Sequence, residues 1–131
     1  MILLDTHVFL WLCLEPKRLS RPATHAIRRA AATGGVAIAS ITLWEIAMLV
    51  ALSRISPLGY PQTWMADLVE KSGAVIKDLT PAVAVLSTQF PKDFPRDPAD
   101  RLIGATARAE GLVLVTRDKG IRASTLLNTV W

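Results

Sequence analysis

The chain has 131 residues, 51% hydrophobic and 20% charged, enough apolar material for one packed domain over 1–131 and too much for wholesale disorder. Its only cysteine, Cys13, excludes an internal disulfide and, among Trp11, Leu12 and Leu14, reads as a small buried hydrophobe. Fifteen Lys and Arg against eleven Asp and Glu leave a net +4, a surplus that by itself implies solubility and no particular partner.

In chain order, ILLD at 2–5 predicts a strand, and 7–14 and 21–33 predict helices. VAIAS at 36–40 is a second strand, followed by helices at 41–53 and 61–72. AVIKDL at 74–79 is a third strand, with helices after it at 81–88 and 98–110. LVLVT at 112–116 and LNTVW at 127–131 complete the strands, with a short helix after Asp118 between them. Several strands are apolar almost throughout, as in a parallel sheet covered on both faces. The alternation of strands and helices predicts an α/β fold with right-handed crossovers. The first fourteen residues lack a basic leader and contain Asp5, so no secretory signal is expected. LWEIAMLVAL at 43–52 is too short to span a bilayer and carries Glu45. A soluble cytoplasmic protein with no membrane partner is expected.

In open sheets ligands bind beyond the carboxyl ends of the strands. Asp5 follows ILL, Ser40 follows VAIA, and Asp118 comes two residues after LVLVT. Each acid has a structural reading beside a chemical one. Asp5 and Asp118 can cap the helices that follow them, and Thr6 can cap or steady a carboxylate. Glu45 lies among apolar neighbours, where it either closes a capping box from Thr42 or, with Ser40 as the cap, stands in the second turn and needs a cation nearby. In RDPADRLIGATARAEG, 96–111, Asp97 predicts an N-cap, Pro98 the first helical residue, Asp100 a first-turn acid and Gly111 the stop. Asp100 falls at the upper end of the inward stripe formed by Leu102, Ile103, Ala105 and Thr106, with Asp97 beside it as cap or outer ligand.

Taken together, these readings bring four acids to one edge. Two carboxylates about 4 Å apart repel by about 4 kcal/mol at an effective dielectric near 20, and a hard divalent cation removes that cost. Oxygen donors without a thiolate or histidine cluster suit Mg²⁺ or Mn²⁺ rather than zinc. Acid-held metal ions activate water and stabilise a phosphoryl group undergoing displacement, so phosphodiester hydrolysis is the inferred reaction. Arg96, Arg101, Arg117 and Lys119, close in sequence to the acids, either grip flanking phosphates or are ordinary solvated charge. Thr116 is placed to orient Asp118. His7 and His25 are too few to build a metal site, and His7 either packs or touches substrate.

LLDTHVFLW with Asp5 and Thr6, ITLWEIAML with Glu45, DPADRLIGATA with Asp100, and LVTRD with Thr116 and Asp118 together resemble the PIN-domain ribonucleases, and among them the VapC-type toxins of bacterial toxin–antitoxin pairs. The resemblance implies a PIN-like three-layer fold, a central mostly parallel sheet of about five strands flanked by helices. It assigns Asp5, Glu45, Asp100 and Asp118 as the quartet that binds one or two Mg²⁺ or Mn²⁺ ions for cleavage of RNA. It implies a homodimer and inhibition by a cognate VapB-type antitoxin. Relatives with this DP-x-DR motif often carry a histidine where this chain has Pro95. Residues 54–94 match nothing diagnostic and are read as scaffold, dimer surface or antitoxin surface. Two rivals stay open: a catalytically weak PIN-like module that binds RNA or protein, and a receiver- or phosphatase-like phosphoryl-transfer domain. The second expects another acid next to Asp5, where this chain has Thr6 and His7.

Overall fold

The computed structural model describes residues Met1–Trp131. Strands β1 (Ile2–Leu4), β2 (Val36–Ala39), β3 (Val75–Lys77), β4 (Val113–Val115) and β5 (Thr129–Val130) form one sheet in the order β3-β2-β1-β4-β5. Every pairing is parallel, with Leu4 opposite Ile38 on one side and Val115 on the other. Helices α1 (Thr6–Leu14), α2 (Arg21–Ala32), α3 (Ser40–Ala51), α4 (Pro61–Ser72), α5 (Pro81–Ser87), α6 (Pro98–Glu110) and α7 (Lys119–Arg122) supply the connections. The predicted elements are all present, and the α/β arrangement with five strands is the expected one.

Alternation along the strands divides the core in two, because successive side chains leave opposite faces of a sheet. Leu4, Val36, Ile38 and Val115 point to one side, where they meet Val8, Phe9, Ile27 and Trp64 from α1, α2 and α4. Leu3, Ala37, Ala39 and Leu114 point to the other, against Val83, Ile103, Ala105 and Ile121 from α5, α6 and α7. This is why the strands lack a polar face. The small side chains of β2 on the second side leave room for α6. Gly104 of α6 packs closely too: a Cβ there would lie 3.0 Å from the Phe90 ring and 3.1 Å from the Phe94 ring.

Differences from the sequence reading lie at element ends. A single 3-10 turn at Pro16–Arg18 was not anticipated. The strands are shorter than their apolar runs, since Asp5 and Ser40 already belong to helix starts. Even so, the Asp5 N–H reaches the Val115 carbonyl at 3.0 Å and the Thr116 N–H reaches Val130 at 3.1 Å, extending the ladder at the carboxyl edge. Neither Ser40 nor Thr42 caps α3. Ala39 occupies that position without a side-chain bond, because the extended backbone of β2 turns directly into the helix. Cys13 is half-buried rather than fully enclosed, and burial pushes its thiol up to about 11, which keeps it protonated. No helix is long and apolar enough to cross a membrane.

The topology sets the location of chemistry. The chain moves from β1 to β2 in one direction and returns to place β4 on the other side of β1. A crevice therefore opens beyond the carboxyl ends of β1 and β4, the switch point at which such sheets bind ligands.

Candidate active site

Asp5 is the innermost acid of this crevice, only 8% exposed. It serves as the N-cap of α1, and its Oδ1 accepts the Thr6 N–H at 2.8 Å. Its Oδ2 accepts the Thr116 hydroxyl at 2.6 Å, across 111 residues of sequence. Capping and site roles thus coincide in one carboxylate. Thr116 also accepts the Asp118 N–H at 3.1 Å, so it holds Asp5 by its hydroxyl and Asp118 by the backbone.

Glu45 approaches from α3, in its second turn and beyond capping reach. The Thr6 hydroxyl donates to Glu45 Oε1. Thr6 and Thr42 hydroxyls lie 3.0 Å apart, and since Thr6 spends its proton on Glu45, Thr42 donates to Thr6. A chain of two buried hydroxyls therefore fixes Glu45, where sequence reasoning expected a cation. Neither salt bridge of the molecule, Glu15–Arg18 and Lys77–Glu110, involves a pocket acid.

The remaining acids come from helix starts. Asp97 caps α6 by accepting the Ala99 N–H at 2.8 Å, followed by Pro98 and Asp100 in the first turn and the left-handed Gly111 at the far end, as the sequence predicts. Asp118 caps α7 by accepting the Ile121 N–H at 2.9 Å. Asp5, Glu45, Asp97, Asp100 and Asp118 all line one open cavity of about 500 Å³.

Their crowding appears in their protonation. Burial, then the charges of Asp5, Asp97, Asp118 and Glu45, push the Asp100 carboxyl up to about 7. Burial also raises Glu45, against the lowering hydrogen bond from Thr6, with Asp5 and Asp97 adding to the rise. Asp5 is raised by burial more than its bonds from Thr116 and Thr6 lower it.

Of the basic residues expected near the acids, Arg117 and Lys119 line the cavity. Arg96 is exposed and lies outside its walls. Arg101 must be corrected. Its Nε donates to the Pro95 carbonyl at 2.9 Å, Nη1 to Phe90 at 3.3 Å, and Nη2 to Phe94 at 3.3 Å and Pro91 at 3.4 Å. Those donors clamp the loop before α6 and are not available to a phosphate. His7, exposed, stands on the cavity wall, and so does Trp11, which is largely buried and to which the sequence reading gave no site role. The Arg117 guanidinium lies 5.9 Å from the Trp11 ring centre. No signal in the apolar run FLWLCL distinguishes Trp11 from its apolar neighbours.

The donor set is carboxylate oxygen with one imidazole at the rim, which suits a hard divalent cation. The side chains nevertheless stand apart: no three of the molecule's His, Cys, Asp and Glu are drawn together round one point. Burial first and the neighbouring carboxylates second raise Asp100, and a bound cation would relieve that repulsion. The residues fit such an ion.

The PIN domain family matches residues 2–124. This chain belongs to the PIN domain family. Ribonuclease VapC22 of Mycobacterium tuberculosis (strain ATCC 25618 / H37Rv) is 41% identical to this PIN domain over 122 residues, 93% of this chain and 90% of that one. Among solved structures, VapBC2 from Rickettsia felis bound to a DNA fragment from its promoter matches with a TM-score of 0.73 at 20% identity, covering 98% and 97% of the two chains. FitAcB from Neisseria gonorrhoeae matches with a TM-score of 0.63 at 25% identity, covering 98% and 96%. The three-layer PIN arrangement is shared with these neighbours.

Proposed function

We propose that this PIN domain is an endoribonuclease, the toxin of a VapBC-type toxin–antitoxin pair, and that its acid pocket hydrolyses RNA phosphodiesters with Mg²⁺ or Mn²⁺. One observation carries the chemical part: five carboxylates from four separate segments face one cavity with no basic side chain paired to any of them. The identity to a ribonuclease over nine-tenths of both chains supports the choice of RNA.

Asp5, Glu45, Asp100 and Asp118 would hold the ion, with Asp97 behind them. When bound, a divalent ion supplies activated water and neutralises charge on the phosphoryl group. The chain's own side chains do the rest. The Thr6 N–H and the Thr116 hydroxyl fix one lone pair on each Asp5 oxygen and leave the others to the pocket, while the Thr6 hydroxyl holds Glu45 Oε1 and leaves its Oε2 free. Arg117 and Lys119 offset the phosphate charge entering an acidic cavity. In this reading the substrate is cytoplasmic RNA, and the partner is a VapB-type antitoxin, as in the solved VapBC complexes. A second copy is assigned to α3, where Trp44, Met48 and Leu52 form an uncovered apolar stripe at helical spacing.

Purified protein incubated with a panel of single-stranded and hairpin RNAs in Mn²⁺ is expected to cut at least one of them, and EDTA to stop it. Asp100→Asn and Asp118→Asn are each expected to reduce cutting by 10²-fold or more, roughly the effect of losing an essential electrostatic group. Cleavage that persists in EDTA, or an inert wild type whose RNA binding is intact, sinks the nuclease reading and favours a binding module.

A further inference from the structure

A second cavity, of about 390 Å³, adjoins the acid pocket and shares His7 and Trp11 with it. Leu10 and Leu14 of α1 and Leu49 of α3 give it an apolar floor. Two guanidinium groups border it from different segments, Arg18 on the 3-10 turn and Arg54 just past α3. Arg18 is braced through its side chain and Arg54 through its backbone. The Arg18 guanidinium lies 4.6 Å from the Trp11 ring centre. Ser53 adopts a left-handed φ of 56°, and the turn it makes sends the Arg54 N–H back to the Leu49 carbonyl at 2.9 Å. Arg54 has no ion pair, and Arg18, half exposed, meets only the Glu15 carboxylate at 3.9 Å.

An apolar floor between two guanidiniums matches a nucleotide, with its base against the floor and its phosphates at the rim. The volume falls within the roughly 300–1,000 Å³ of small-ligand clefts. A peptide with apolar and acidic side chains would satisfy the same walls, and contiguity decides between the two. His7 and Trp11 belong to both cavities, so a strand with a phosphodiester among the acids has its next nucleotide at this groove. Another apolar groove, between α1, α2 and α4 with Leu12, Ile27 and Leu68, shares no residue with the acid pocket, and the open cavity bordered by Arg122 and Trp131 shares Lys119 alone. We propose that the groove bordered by Arg18 and Arg54 is the subsite for the nucleotide adjoining the scissile phosphate. This rests on the RNA-cleaving reading above. Glu15, the acid on its wall, opposes a phosphate there.

Binding is measured in the Asp100→Asn background by anisotropy of a labelled mixed-sequence single-stranded RNA at several salt concentrations. Adding Arg54→Ala or Arg18→Ala is expected to weaken binding roughly fivefold and to lower the salt slope by about 0.7. Arg54→Lys keeps the slope, Glu15→Gln tightens binding, and Arg28→Ala, in the unconnected groove, alters neither. With Asp100 restored, the two alanine variants raise KM for cleavage and leave kcat in place. Unchanged affinity in both arginine variants overturns the subsite, while chelator-sensitive cleavage by the unaltered protein keeps the nuclease reading. Unchanged RNA affinity with loss of a co-expressed antitoxin would assign the groove to a peptide and likewise overturn the proposal. If the unaltered protein neither cuts nor binds RNA, both readings fall.

Discussion

Asp100 ionises near 3.8 in an open chain and near 7 in the fold, so between those values the folded state holds the extra proton. Its contribution is therefore neutral below about pH 3.8, turns unfavourable as pH rises through the window, and reaches its full cost above 7. The whole shift corresponds to about 4 kcal/mol, and solvent at this partly open carboxyl reduces it to on the order of 1–2 kcal/mol. Asp100→Asn is accordingly expected to stabilise the metal-free protein by that amount at pH 8 and by little at pH 4, read by urea unfolding in EDTA. A variant less stable than its parent at pH 8 would show that the carboxylate's place in the first turn of α6 outweighs its repulsion. Thr116→Val acts in the opposite direction. It strips a donor from buried Asp5 and an acceptor from the Asp118 N–H, at about 2–3 kcal/mol, and activity should fall with it while Thr116→Ser retains both. Asp5, Glu45 and Asp118 were legible because each interrupts an apolar run or follows a strand, and Asp100 because it heads the inward stripe of its helix. Thr6 and Thr116 were legible as hydroxyls that could steady a carboxylate, but their partners were not: the Thr116 hydroxyl donates to the carboxylate of Asp5 and not to that of Asp118, and Thr6, Thr42 and Glu45 meet only once α1 and α3 have packed.

At the scale of elements, the error over Arg101 is instructive. It adjoins Asp100 in sequence, but successive residues of a helix point about 100° apart, so adjacency to a site acid places a side chain on a different face. Arg101 turns instead toward the loop that precedes α6 and ties four of its carbonyls. Arg101→Ala is expected to cost roughly 2–4 kcal/mol from several charge-assisted bonds and to lower the thermal midpoint, with the salt slope of RNA binding unchanged. A weakened slope together with unaltered stability would return Arg101 to the phosphate path. Helix and strand identities followed from periodicity, while ends did not. Ser40 reads as a cap by residue type, but β2 passes into α3 with no intervening turn, leaving Ala39 at the cap and Ser40 already helical. The 3-10 turn at Pro16–Arg18 spans too few residues to carry a period.

For the molecule as a whole, acids that repel in the absence of a cation make ion binding and folding one equilibrium. A divalent ion at a hundred times its dissociation constant stabilises the fold by about 2.7 kcal/mol. For a chain of this size that is a rise on the order of 10 °C in the melting midpoint. Wild type should show it with Mn²⁺ or Mg²⁺ in a thermal scan, and Asp100→Asn should show much less. Equal shifts in the two proteins would place the ion elsewhere. A parallel sheet was implied by strand–helix alternation, but its order and the neighbours of β1 were not, because short apolar strands of similar composition do not encode which pairs with which. That pairing has a temporal side. Asp5 and the Thr116 hydroxyl that holds it stand 111 residues apart, so a nascent chain carries no assembled pocket until β4 and the residues just after it have emerged. Under the endoribonuclease reading proposed above, cutting would begin only after most of the chain has left the ribosome.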